Sequence, residues 1–376
     1  MDSELELLSW HLMSASSTKD VFGTLSGTSA EMHAKAKAIY RQLARSTHPD
    51  RYSDDREKGI AEGAFVRLAK LWEAAQAEIK NGTYGKTHVS FTSATLRIKT
   101  RRSEYAVGGL MFQGDVCNLY HATILVSGAE AEAIIKIARR PSDNDLVQSE
   151  ARVLTHLYQD KDNEKYRTFL PSLIEPFIYK EEGTGIRRAG NAFSPVAGLR
   201  PLTDVVKHYP MGVDPRDMAW IWRRLLTALG LANASNVVHG AVFPEHVLIQ
   251  PEQHGLVLVD WCYSLIDPVN SGQHIRAMVP TYKAWYSKEV LNGTPPLPGL
   301  DIYLGAKCMV QIMGGDPVSG RLPVSVPAPL QAFFKGCMSP EPRRRPQDAW
   351  RLLEEFDALL VRLYGPRKFR PFSLPS

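Results

Sequence analysis

The chain has 376 residues, 44% hydrophobic and 23% charged, and its 45 lysines and arginines against 40 acids give a formal charge of +5. This is an ordinary globular composition, and so small a cationic excess does not by itself imply nucleic acid. No run approaches the roughly 18 uninterrupted apolar residues of a membrane helix, and the opening MDSELELLSW lacks the basic stretch and apolar core of a secretory signal. Four scattered cysteines, Cys117, Cys262, Cys308 and Cys337, show no CxxC spacing. The expectation is reduced thiols in a cytoplasmic setting, with neither a disulfide frame nor a zinc site.

Taken in chain order, the first strong pattern is an amphipathic helix from Ser29 to Ser46. Ala36, Ile39, Tyr40 and Leu43 recur at helical spacing as an apolar stripe, while Lys37, Arg41 and Arg45 recur every fourth residue as a basic ridge. The residue before a proline is pushed out of the helical region, so His48, ahead of Pro49 and Asp50, should end it. After a polar loop, Phe65, Leu68, Leu71, Trp72, Ala75 and Ile79 trace a second helix. Two antiparallel helices with facing stripes and an exposed loop at their tip are the simplest packing. Gly82 and Gly85 then break the helical pattern. Strands are expected to dominate to about residue 200, with a polar turn over Lys180–Gly185, and helices return after them. The basic stretch Arg367–Pro371 is expected to fray.

Over residues 18–80, Asp20-Val21-Phe22-Gly23, IYRQLARSTHPDRY and AFVRLAKLWEAA resemble the J domain of DnaJ-type co-chaperones. The resemblance implies that His48, Pro49 and Asp50 stimulate the ATPase of a DnaK-type chaperone and that Lys37, Arg41 and Arg45 dock on it. The physics fits: a cationic ridge steers association with an acidic surface, and Pro49 stiffens the loop beforehand.

Farther on, AEAIIKIARR places one lysine, Lys136, inside an apolar strand, where a lysine needs a partner. Glu150 follows fourteen residues later on a helix whose Leu146, Ala151, Leu154 and Leu157 share one side. With the landmarks that follow, this segment resembles protein kinases over roughly residues 102–362. In that resemblance Lys136 and Glu150 are the strand-lysine and helix-glutamate pair. Phe112, Gly114 and Cys117 align with the three glycines of the phosphate loop, so only Gly114 remains. In VVHGAVFPEHVLI, His239, Pro244, Val247 and Leu248 match the catalytic loop, but Ala241 stands at the catalytic aspartate and His246 at the metal-binding asparagine. Asp260 stands where the metal-binding aspartate of the family lies, with Trp261 and Cys262 after it; an ordinary strand-end aspartate is the other reading. Glu289 and Arg345 correspond to a buried structural pair, and Asp301 to the aspartate that caps the catalytic loop.

An alanine can neither orient a hydroxyl nor accept its proton, and imidazole is a poor magnesium ligand. The expected architecture is therefore multidomain: an all-α J-domain helical hairpin (1–82), a linker and first strand region (83–101), and an α+β bilobal kinase-like fold with an N-lobe (102–182), a C-lobe (183–366) and a basic tail (367–376). The expected function is that of a co-chaperone that recruits a DnaK-type chaperone, its pseudokinase module holding an unidentified client or partner protein. No membrane, no specific nucleic acid and no obligatory cofactor are expected. Phe112, Cys117 and Trp261 are expected to block part of the cleft. The alternative is an atypical phosphotransferase or nucleotidylyl transferase binding ATP, with Mg²⁺ or Mn²⁺, through Lys136, Glu150 and Asp260. In a third, blander possibility the chain is a scaffold whose His48 loop is vestigial.

Overall fold

The computed structural model describes residues 18–52, 54–81, 96–126, 129–181 and 183–374, with Tyr84 and a few single positions ahead of residue 18. The chain divides into two compact units, 1–92 and 93–376, the first helical and the second mixed helix and sheet.

Most of the described part of the first unit is built by α1 (Thr18–Phe22), α2 (Ser29–Thr47) and α3 (Asp55–Asn81). Helix α2 starts where Thr28 and Glu31 form a reciprocal capping box, each side chain accepting from the other's backbone amide. It stops at His48, which is extended (φ −69°, ψ 125°) as the following proline requires. Ser29 Oγ donates to the Ile79 carbonyl at one end, and the His48 ring packs edge-on against Phe65 at the other. The two long helices are thus antiparallel. Ala36 from α2 and Ala64, Leu68, Leu71, Ala75 and Ile79 from α3 close the core with Val21 and Phe22 of α1. Trp72 stacks on Tyr40 with ring centroids 5.0 Å apart, joining the two stripes.

The second unit opens with a six-stranded antiparallel sheet: β1 (Leu96–Lys99), β2 (Glu104–Gln113), β3 (Cys117–Val126), β4 (Ala129–Ala138), β5 (Leu173–Lys180) and β6 (Arg187–Phe193), in the order β1-β2-β3-β4-β6-β5. Strand β6 inserts between β4 and β5, so the sheet runs past residue 182 to Phe193. The division expected at 182 therefore falls between two paired strands, because the polar turn there is a hairpin within the sheet. Helix α4 (Asn144–Gln159) follows β4 and buries Val147, Glu150, Ala151, Leu154 and Leu157, while Leu146 lies at the rim.

Helices dominate the remainder: α5 (Leu202–His208), α6 (Pro215–Ala234), α7 (Gly299–Ile312), α8 (Ala328–Cys337) and α9 (Ala349–Tyr364). Short antiparallel ribbons lie among them. β9 (Val247–Gln250) pairs β10 (Gly255–Leu258) and β7 (Arg200–Pro201), and β8 (Val237–Val238) pairs β11 (Leu265–Ile266). Trp222, Leu225 and Leu226 of α6 are fully enclosed. A Cβ at Gly230 would lie 2.4 Å from the Trp350 ring, so α6 and α9 meet as closely as they do only because position 230 has no side chain.

The basic stretch expected to fray is docked instead. Arg370 binds Asp217 (Nε–Oδ1 2.6 Å), Phe372 is buried, and the His254 ring lies between Trp220 (4.3 Å) and Phe369 (4.6 Å). Its aromatic residues find an apolar face on α6 that the charge pattern did not reveal. All four cysteines are free and buried, and among the described residues no helix is long and apolar enough to cross a membrane.

Candidate functional site

Two polar groupings stand out, one in each unit. In the first, Pro49–Arg51 form a short 3₁₀ turn straight after α2. The Asp50 amide donates to His48 Nδ1 (3.3 Å), Tyr52 Oη to the Ser46 carbonyl (2.6 Å) and Arg51 to the Arg45 carbonyl (3.1 Å), lashing the loop to the helix end. The side chains of His48 and Asp50 are nevertheless 48% and 90% exposed. Lys37, Arg41 and Arg45 are exposed along α2, and among the described residues none of them has a carboxylate partner. The loop and the ridge are rigidly placed and face solvent.

The second grouping is buried. Lys136 of β4 reaches Glu150 of α4 at 2.8 Å and Asp260, just after β10, at 2.6 Å. The free Glu150 oxygen accepts from Asn191 Nδ2 of β6 (2.9 Å), and its bonded oxygen also accepts from the Trp261 amide (3.2 Å). Asp260 takes a left-handed backbone conformation (φ 65°, ψ 56°), which an aspartate tolerates better than most residues. Its second oxygen lies 3.0 Å from His246 Nε2, and His246 Nδ1 lies 2.7 Å from the Ala241 carbonyl. Both imidazole nitrogens thus face acceptors, a geometry that only the doubly protonated ring satisfies.

The electrostatics agree. Burial works against the Lys136 ammonium, but Asp260 foremost, with Glu150 behind it, holds its pKa well above the usual lysine value. Burial likewise opposes the His246 charge, and Asp260 outweighs it, raising that histidine. Burial would raise Asp260, yet Lys136 and His246 hold its carboxyl well below the usual range. Two cations and two anions therefore sit in one neutral knot. His239, by contrast, is pushed down to about 3, chiefly by burial, and is neutral. Its amide and that of Gly240 donate to Asp301 of α7 at 2.7 and 2.8 Å. Burial outweighs those two amides and lifts the Asp301 carboxyl to about 7. Arg345 pairs with Glu289 (2.5 Å) and lies over the Tyr303 ring, fastening the turn ahead of α9 to α7 and the segment before it.

The donor set does not suit a divalent cation as it stands. Glu150, Asp260 and Cys262 bring ligand atoms within 4.8 Å of one another. However, the Lys136 ammonium already bridges the two carboxylates, and burial and its bond to Cys117 push the Cys262 thiol up, away from the thiolate a metal needs. Nor is Gly114 free: its amide donates to the Cys117 carbonyl (2.9 Å), closing a tight turn. Of the three side chains expected to block the cleft, Cys117 and Trp261 are buried, but Phe112 remains 56% exposed. Two cavities, about 520 Å³ between α8 and α9 and about 250 Å³ beside α4, open elsewhere, and neither is lined by Lys136, Glu150, His246 or Asp260.

Sequence reasoning named Lys136, Glu150, His246 and Asp260 one by one, and the fold brings all four together. It missed Asn191, for which an asparagine amid the apolar residues of β6 was the available signal, and it gave His246 no bond to Asp260. No protein-family model matches this sequence, and no curated protein matches it.

Proposed function

We propose that the chain is a J-domain co-chaperone of the cytoplasm whose second unit is a bilobal kinase-like fold serving as a binding scaffold for a client or partner protein. The observation that carries the first half is the His48-Pro49-Asp50 turn, lashed to the end of α2 yet open to solvent, above a ridge of Lys37, Arg41 and Arg45 that has no carboxylate partner among the described residues. An exposed, preorganised trigger beside a cationic face suits an acidic chaperone surface. Four buried, unbridged cysteines are in keeping with a reducing compartment.

What supports the kinase-like reading is the set Lys136–Glu150, Asp301 on the amides of 239–240, and Glu289–Arg345, joined in one unit with a sheet order that places β6 between β4 and β5. Phosphotransfer is disfavoured by Ala241, which offers no base, and by His246, whose nitrogens are both engaged. The decisive assay is the ATPase rate of a DnaK-type chaperone with and without this protein. Stimulation is expected, and His48→Gln or Asp50→Asn should abolish it; stimulation that survives both substitutions refutes the reading.

A second reading, an atypical phosphotransferase or nucleotidylyl transferase, draws on the gathering of Lys136, Glu150 and Asp260 within bonding distance. Its mark is a thermal stabilisation by ATP with Mg²⁺ or Mn²⁺ that disappears in Lys136→Ala and Asp260→Ala.

A further inference from the structure

The buried knot in the second unit has more order than a scaffold needs, and its centre is Asp260. One oxygen of that carboxylate holds the Lys136 ammonium at 2.6 Å and the other holds His246 at 3.0 Å. His246 is itself pinned by the Ala241 carbonyl at 2.7 Å, so the ring cannot turn away without abandoning that bond. We infer that His246 is an internal counter-cation: its imidazolium takes the place on Asp260 that a divalent cation would occupy, and the cleft, closed by its own charges, takes neither metal nor metal-bound nucleotide. The inference rests on the kinase-like reading of the second unit for the expectation of a metal, and on distances alone for its displacement.

The charge balance makes the case quantitative in sign. Lys136 and His246 supply two positive charges, and Glu150 and Asp260 two negative ones, all in side chains largely withdrawn from water. A dication added beside Asp260 would leave that balance two charges in excess unless His246 lost its proton and moved. Its surroundings oppose such a move. His239, Phe243 and Tyr263 all pack within 6.5 Å of the His246 ring, and the ring is buried. An imidazolium also serves where a metal would need more oxygens: magnesium demands near-octahedral oxygen ligands, whereas the ring needs two acceptors and has both. The same four charges tie together β4, α4, the 241–246 loop and the turn after β10, segments that a nucleotide would otherwise have to bridge.

The test uses the full chain with Mn²⁺ alone and Mn²⁺ with ATP, read by electron paramagnetic resonance for bound ion and by thermal shift. The wild type should bind no Mn²⁺ and its Tm should not move. His246→Asn should melt several degrees lower, recover part of that loss when Mn²⁺ is added, and bind one ion, which a further Asp260→Asn removes. His246→Lys keeps a cation beside Asp260 and should be as indifferent to Mn²⁺ as the wild type. Wild-type Mn²⁺ binding that is lost in Asp260→Asn overturns the inference, and so does a folded His246→Asn that ignores Mn²⁺. If His246→Asn does not fold, the wild-type and Asp260→Asn titrations decide alone: binding lost in the variant overturns it, and no wild-type binding upholds it. Stimulation of a DnaK-type chaperone is a separate readout through His48, so failure there sinks the co-chaperone reading and leaves the counter-cation standing.

Discussion

The two polar groupings use similar residue types to opposite ends. In the first unit His48 and Asp50 lie two residues apart, held by backbone bonds and left facing solvent, and Lys37, Arg41 and Arg45 of α2 stand without a carboxylate partner among the described residues. In the second unit His246 and Asp260 come from separate segments, meet at 3.0 Å in the interior and are satisfied by Lys136 on Asp260 and the Ala241 carbonyl on His246. Polar groups with spare capacity at a surface are available to a partner, whereas polar groups that complete one another in low dielectric chiefly hold the fold. The contrast leaves one grouping open to solvent and the other closed in the interior, and it can be broken from either side.

The largest effect is expected from Lys136→Met, which leaves Glu150 and Asp260 buried without their shared cation. Removing one partner of a buried ion network costs about 3–5 kcal/mol, so urea denaturation should show the second unit strongly destabilised; a loss below about 1 kcal/mol, the range of exposed pairs, would erase the distinction. Next comes Gly230→Ala, which drives a methyl into the Trp350 ring and should cost about 1–3 kcal/mol by overpacking.

Acid sensitivity offers a third test, through two neighbours in the 239–301 contact. His239 is held near 3 against an ordinary 6.5, so the unfolded chain binds the extra proton between those values, and this term weakens the fold as pH falls. Asp301 lies near 7 against 3.8, so the folded chain binds the extra proton there, and this term strengthens the fold as pH falls. The two oppose each other across their common window. Asp301→Asn removes only the second, and its Tm should therefore fall more steeply with acid than that of the wild type, by about 1.4 kcal/mol per pH unit at most for the one proton. Parallel profiles would contradict the assignment.

Smaller effects belong to the first unit. Thr28→Ala removes the capping box and should cost about 1 kcal/mol. His48→Gln should leave stability within about 0.5 kcal/mol, as an exposed position does, while abolishing chaperone stimulation. A His48 variant that unfolds the helices would blur the contrast between a trigger and a clasp.

How much of this was legible in the sequence depends on the range of each interaction. The helix pair of the first unit follows from local periodicity and a proline, and α2 differs from expectation by one residue. Lys136 was conspicuous because a lysine in an apolar strand needs a partner, and Glu150 lay on the next helix. The bond from His246 to Asp260 was not legible, because it depends on the left-handed turn at Asp260, which no local pattern announces. Asn191 clamps Glu150 from a strand inserted out of chain order, and only the sheet topology brings them together. The strands expected to about residue 200 end at Phe193, and the polar turn over Lys180–Gly185 is a hairpin between β5 and β6.

The docked segment beyond α9 has a practical consequence. With Phe372 seated, Arg370 fastened to Asp217 and Phe369 lying over His254, the surface of α6 is finished by residues that follow the last helix. Cutting the chain after Gly365 would bare Trp220 and its stacked histidine to water. The shortened protein would then carry a fresh adhesive face, prone to self-association at concentrations where the longer one stays dispersed.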